Sequence, residues 1–98
     1  MHYEIRLDNC VGSLFTGSKN GKDFAENNIT EEGSPTSIHI FYHHNQMVTS
    51  SFFYGILVWF QERFSTEDLG QYSFTRMVKL INTDDIITAE LNRAIKRL

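Results

Sequence analysis

The chain has 98 residues, enough for one hydrophobic core and too few for two, so we expect a single domain over residues 1–98. A hydrophobic fraction of 41% and a charged fraction of 21% exclude a disordered or fibrous chain. The formal charge of −3 gives no positive field for a phosphate backbone, so nucleic acid is not expected as the main partner.

Cys10 is the only cysteine, which excludes an internal disulfide and a zinc site made of several cysteines. The first ten residues lack the pattern of a signal peptide, so we expect a cytoplasmic protein. The longest nearly apolar run, residues 52–60, is about half as long as a bilayer-spanning helix needs to be. It therefore predicts a core helix rather than a membrane anchor.

The first half of the chain predicts two strands and one weak helix. Tyr3, Ile5 and Leu7 alternate with polar residues, which predicts a strand over residues 2–8. A loop follows, and then a weak helix around residues 19–29 that Gly21 interrupts. After a turn, residues 38–42 carry apolar side chains toward both faces, as is typical of a strand in the middle of a sheet.

The most apolar stretch of the chain, MVTSSFFYGILVWF, follows that strand. Its apolar residues recur at helical spacing and predict an amphipathic helix over residues 50–64, with Gly55 on the polar side. Phe52 and Trp59 widen one edge of the apolar stripe, and Tyr54 and Val58 widen the other. We therefore expect a further surface to cover part of this helix.

The last third of the chain predicts a strand and a helix. The apolar residues between Phe74 and Ile81 predict a third strand. Asn82, Thr83 and Asp84 offer caps for a final helix up to residue 98. The order β-α-β-α-β-α with short links predicts an α/β sandwich, in which helices pack on a mostly parallel sheet.

Three hydroxyl residues, Thr49, Ser50 and Ser51, stand at the start of the predicted helix 50–64. Amide N–H groups at a helix N-terminus, together with the positive end of the helix dipole, suit an anion or a phosphorylated side chain. These residues are therefore candidates for a phosphoacceptor or an anion-binding site. The alternative is that one hydroxyl only caps the helix.

The sequence patterns for a metal site, a hydrolase triad and a nucleotide loop are weaker. Three histidines cluster at His39, His43 and His44, but no HExxH or cysteine-rich pattern accompanies them, so no metal is expected. Ser50, His43 and Asp8 are the residue types of a hydrolase triad, but no GxSxG motif is present. The glycines at positions 12, 17 and 21 match neither nucleotide-loop spacing. We expect neither a catalytic site nor a cofactor.

The segment SIHIFYHHNQMVTSSFFYGIL resembles the STAS-like domain family, the relatives of the anti-sigma-factor antagonist module. The segment RMVKLINTDDIITAELNRAI is similar to that family's last strand, turn and final helix. GSLFTGSKNGKDFAENNI is similar to the part leading into its first helix. The resemblance covers most of the chain, from about Cys10 to Leu98, and implies the same STAS-like α/β sandwich.

The resemblance also implies a function. Such modules regulate by binding a protein, often a GHKL-type ATPase or a serine kinase. In the antagonists the helix begins with Asp-Ser-Ser-Gly, and the kinase phosphorylates the first serine. Here Thr49 takes the Asp place, Ser50 the phosphoacceptor place, Ser51 that of the second serine and Phe52 that of the glycine, so two of the four positions differ.

The sequence therefore predicts a non-catalytic interaction module that binds a partner through the N-terminus and flank of helix 50–64. Phe52, Trp59 and Tyr54 are the expected contact residues, because buried aromatic residues dominate interface energies. The alternative is that Phe52 and Trp59 fill the core. If they instead form a symmetric contact between two copies, the chain is a homodimer. A second functional hypothesis is a small-anion or nucleotide sensor that uses the amides and hydroxyls of residues 48–52.

Overall fold

Within residues 1–82 and 84–98, which the computed structural model describes, the chain forms five short strands and four α-helices. The strands are β1 (His2–Arg6), β2 (Leu14–Phe15), β3 (Ser37–Phe41), β4 (Met47–Val48) and β5 (Val78–Leu80). The helices are α1 (Ser18–Asn28), α2 (Ser50–Arg63), α3 (Gln71–Met77) and α4 (Asp85–Lys96). The predicted α/β class is confirmed.

All strand pairs in the described residues are parallel. One sheet has the order β1-β3-β5, with Glu4 opposite His39 and His39 opposite Lys79. A second, two-stranded sheet joins β2 to β4. The predicted central position of β3 is confirmed, and the parallel pairing follows from the helices that connect successive strands.

The three-stranded sheet is covered on one face. On the covered face Tyr3, Ile5, Ile38 and Ile40 are at most 1% exposed. On the opposite face alternate residues of β1 are exposed or half-buried, and those of β3 are half-buried. β3 was predicted to carry apolar side chains toward both faces, but only one of these faces is buried. The molecule therefore has two layers, one sheet and one layer of helices.

Helix α2 is the centre of the helical layer. It runs from Ser50 to Arg63, close to the predicted bounds. Phe60 lies edge-on to Tyr3 of β1, with ring centroids 5.2 Å apart. Phe52 contacts Phe15 and Phe24, at 5.4 and 6.0 Å between ring centroids. The sheet, α1 and α4 all pack against α2. This is why α2 is apolar on most of its circumference.

Two glycines let α1 and α2 touch through their backbones. A methyl group at Gly21 would overlap the carbonyl oxygen of Phe52, and one at Gly55 would overlap the carbonyl oxygen of Ser18. Gly21 is thus part of a regular helix and is required by packing. The sequence placed Gly55 on the polar side of the helix; that placement is wrong, because α1 covers it.

The predicted third strand is wrong over most of its length. Residues 71–77 form α3, and only Val78–Leu80 form a strand. Phe74 and Met77 lie three residues apart on one helix face, and α3 packs against α4, so tertiary contact decides the conformation of this short segment.

Two shorter features were also assigned to loops from the sequence. The loop before α1 and the connector 43–48 contain β2 and β4. At α4, Asp84 accepts hydrogen bonds from the N–H groups of Ile86 and Ile87 and is the N-cap. The cap candidate Thr83 lies outside the described residues. Among the described residues, no helix is both long and apolar enough to cross a membrane.

We expect Gly55→Ala and Gly21→Ala each to lower the free energy of unfolding by at least about 2 kcal/mol, because the added methyl group meets rigid backbone atoms. Chemical denaturation measures this change. Gly12→Ala is the matched control, since the nearest atom to its methyl group would be the Phe15 ring at 3.9 Å. Equal stability of Gly55→Ala and Gly12→Ala would contradict the close helix contact.

Candidate functional site

Two of the three hydroxyls at the start of α2 have structural partners. Thr49 Oγ1 accepts the Phe52 N–H at 3.4 Å and donates to the Phe15 carbonyl at 3.3 Å. Ser51 Oγ accepts the Gly17 N–H at 3.0 Å and lies 3.0 Å from Thr49 Oγ1. Thr49 and Ser51 therefore fasten α2 to the link between β2 and α1, and Thr49 is the N-cap.

Ser50 differs from its neighbours. Among the described residues its hydroxyl has no hydrogen-bond partner, and the residue is half-buried at the surface. Its backbone N–H donates to the carboxylate of Glu90 on α4, at 3.1 Å. No local sequence pattern indicates this contact, because Glu90 lies forty positions away along the chain.

The carboxylate of Glu90 supplies an anion to the N-terminus of α2. Its side chain is 13% exposed and also accepts a hydrogen bond from Arg93. The Arg93 hydrogen bond lowers the pKa of Glu90, and the Ser50 N–H lowers it further, while burial opposes them. Glu90 is therefore ionised at neutral pH, and its negative charge interacts favourably with the positive end of the α2 dipole.

Internal partners thus use several amides that an external anion would need. Ser50 N–H binds Glu90, Phe52 N–H binds the Thr49 hydroxyl, and Phe53 N–H binds the Thr49 carbonyl. An added phosphate would have to displace a carboxylate that is already held. This arrangement favours a structural use of the helix N-terminus over anion sensing.

The outward side of α2 is a stripe of half-buried residues at helical spacing. Ser50, Tyr54 and Val58 lie four residues apart on one face, and we call them the α2 stripe. The Arg97 guanidinium lies over the Tyr54 ring, 4.1 Å from its centroid. A shallow cleft of about 240 Å³ borders the stripe and is lined by Ser18, Lys19, Lys22, Tyr54, Gly55 and Val58.

The other two predicted contact residues lie in the core. Phe52 is 3% exposed and Trp59 is 4% exposed. Trp59 Nε1–H donates to Glu26 at 2.5 Å, which gives the indole a partner inside the chain. Because both rings are covered by the chain itself, neither presents a surface to a partner. Of the three aromatic residues, only Tyr54 remains accessible.

The residues considered for catalysis are not brought together. His43 and His44 line a depression of about 340 Å³ with Tyr42, Asn82 and Asp84, and none of the three hydroxyls at the start of α2 lines it. Hydrogen bonds join no two of Ser50, His43 and Asp8 in the described part of the chain.

The fourth histidine, His2, lies on the strand next to that of His39, with its ring centroid 4.5 Å from that of His39. Within the residues that the structure describes, no three His, Cys, Asp or Glu side chains converge as metal ligands.

Comparisons of the chain with protein-family models, with curated proteins and with solved structures found no match.

We expect Ser51→Ala to lower the free energy of unfolding by about 1–2 kcal/mol, because the Gly17 N–H loses its acceptor. Ser50→Ala is the matched control and should change it by less than about 0.5 kcal/mol. Thermal or chemical unfolding measures both. If the two variants are equally stable, the Ser51 hydroxyl does not stabilise the fold more than the Ser50 hydroxyl does.

Glu90→Gln should change the pH dependence of stability. A carboxyl whose pKa is lowered by folding adds stability that is present above its ordinary value of 4.5 and is lost as pH falls through the lower folded value. We therefore expect a stability difference between the native chain and Glu90→Gln that is constant near neutral pH and shrinks below about pH 4.5. Unfolding curves between pH 7 and pH 3 measure it.

Glu32→Gln serves as the control for this titration, because the Glu32 side chain is 87% exposed and its one ion pair within the described residues, with Arg63, spans 4.0 Å. Its stability should follow that of the native chain throughout. A Glu90→Gln difference that does not vary with pH would show that the charge of Glu90 contributes nothing.

Proposed function

We propose that this chain is a non-catalytic, cytoplasmic regulatory module that binds a protein partner through the start and outer flank of α2. The observation that supports this most directly is the division among the hydroxyls. Thr49 and Ser51 are engaged inside the fold, and Ser50 keeps an uncommitted hydroxyl at the surface. Ser50 is also the residue that the resemblance to STAS-like domains aligns with the phosphoacceptor.

Ser50 and Tyr54 share one face of α2, so a partner that covers Tyr54 also reaches Ser50. Tyr54 brings an amphipathic ring under the Arg97 guanidinium, and tyrosine and arginine are residue types enriched at interfaces. The adjoining cleft adds the stems of Lys19 and Lys22, whose ammonium groups pair with Asp23 and Glu62. With Arg97 as the cation beside the Tyr54 ring, this surface suits a partner segment with an apolar residue beside an acidic one.

A phosphoryl group on Ser50 would switch this surface through Glu90. It would add close to two negative charges beside a carboxylate that is held by the Ser50 N–H. The like charges would repel each other and weaken the contact between the start of α2 and α4. The partner in this proposal is a serine kinase or a GHKL-type ATPase, as the resemblance implies.

A photo-crosslinking amino acid in place of Tyr54 tests the contact. We expect it to capture a protein partner in cells, and we expect Ser50→Asp to reduce the yield severalfold, because the added charge disturbs the same face. Purification and mass spectrometry identify the captured protein, and phosphopeptide analysis of the native chain measures modification at Ser50 against Ser51.

Tyr72 on α3 provides the matched control position. It is 74% exposed and also lies beside an arginine, with Arg76 5.4 Å from its ring centroid. The same crosslinker at Tyr72 should capture nothing at comparable yield. Equal capture at both positions, or capture at Tyr54 that Ser50→Asp leaves unchanged, would refute the proposed surface.

A further inference from the structure

The three-stranded sheet leaves one face without a covering layer. This open face consists of the outward residues of β1, β3 and β5, namely His2, Glu4, Arg6, Ser37, His39, Phe41 and Lys79. Parallel sheets are normally covered on both faces. Because helices cover only one face of this parallel sheet, we expect a second molecule to cover the other face.

The charges of the open face are arranged across the strands. The strand register places Glu4, His39 and Lys79 in one row, with the acidic residue on the β1 edge and the basic residue on the β5 edge. Both charged residues are exposed. Within the described residues Lys79 forms no ion pair. Glu4 shares a hydrogen bond with the His2 ring at 3.3 Å and lies 4.0 Å from the Arg6 guanidinium, and all three side chains are at least 40% exposed.

We propose that a second copy of this chain covers the open face, related by a two-fold axis that runs parallel to the strands above β3. Rotation about this axis exchanges the two edges of the sheet and keeps each row in register. Glu4 then faces Lys79 of the partner subunit, Lys79 faces Glu4 of the partner subunit, and His39 lies next to the axis. Sheets packed in this aligned way lie about 10 Å apart, within reach of these long side chains.

The charges distinguish this axis from the other two-fold arrangement of facing sheets. An axis perpendicular to the strands would place Glu4 against its own copy and Lys79 against its own copy. Directly opposed like charges are destabilising. The row of charges is thus complementary to itself in one orientation only, which is what a symmetric interface requires.

The carboxyl end of the open face adds apolar contact. Phe41 lies on the central strand beneath the Arg6 guanidinium, 3.8 Å from the ring centroid. Ile81 is exposed, and its N–H continues the sheet by donating to the Ile40 carbonyl. Alternation from Lys79 directs Ile81 to the open face, next to Phe41.

The size of the face sets the strength of the dimer. Two strands of five residues and one of three cover at most roughly 14 by 16 Å, and we expect a few hundred Å² buried per copy. A standard interface buries about 800 Å² per partner. The dimer is therefore weak, dissociates on dilution and weakens further in high salt, which screens the Glu4 and Lys79 pairs.

Charge reversal tests the proposal. Sedimentation equilibrium of the full chain at micromolar to millimolar concentration should show a monomer–dimer equilibrium at low salt. Glu4→Lys and Lys79→Glu should each raise the dissociation constant at least about tenfold, because each puts like charges opposite one another at two symmetric places. An equimolar mixture of the two variants should restore dimers, since only the mixed pair is complementary.

Glu32→Lys and Lys96→Glu are the controls, because they make the same charge changes at exposed sites away from the open face, and they should leave the equilibrium unchanged. Circular dichroism and unfolding curves establish that every variant folds, and restored dimers in the mixture show the same independently. A native chain that stays monomeric at millimolar concentration overturns the proposal. So does a dimer that either reversal leaves intact, or a mixture that stays monomeric.

Discussion

The packing of the helical layer depends on one backbone contact, the crossing of α1 and α2 at Gly21 and Gly55. Without side chains at these two positions, the carbonyl oxygens of Phe52 and Ser18 approach the facing helix directly. This close approach brings α1 over the aromatic flank of α2, so that Phe52 and Trp59 are buried in a chain of only 98 residues. It also positions Gly17 to donate to Ser51, and the hydroxyls acquire their roles as a consequence.

The packing of α4 against α2 in the helical layer makes the start of α2 a candidate site. Packing of α4 beside α2 brings the Glu90 carboxylate to the Ser50 N–H, so an anion from the chain itself occupies a position where helices attract anions. A charge added at Ser50 would meet this carboxylate first. The α2 stripe and the open face of the sheet belong to opposite layers, so the two proposed contacts do not compete for one surface.

The sequence predicted the elements whose pattern is long or strongly periodic. Helices α2 and α4 and strands β1 and β3 lie close to their predicted positions, because each carries an apolar face with one clear period. The segment from Phe74 to Ile81 was misassigned, since seven helical residues followed by three strand residues present no single period. For the candidate site, the sequence predicted the hydroxyls and Tyr54 but neither Glu90 nor Arg97, which approach α2 from the distant end of the chain.

What the sequence determined by itself is local: alternation in the strands, helical periodicity, and the cap candidates at residues 49–51 and 82–84, among which the structure has Thr49 and Asp84 as the caps. These features depend on neighbouring residues and need no knowledge of the fold. Tertiary structure decided which apolar side chains became core, because Phe52 and Trp59 look like exposed anchors until α1 covers them. It also decided that Ser50 rather than Ser51 keeps an uncommitted hydroxyl, because hydrogen bonds from Gly17 and contacts from Glu90 depend on packing between segments far apart in the chain.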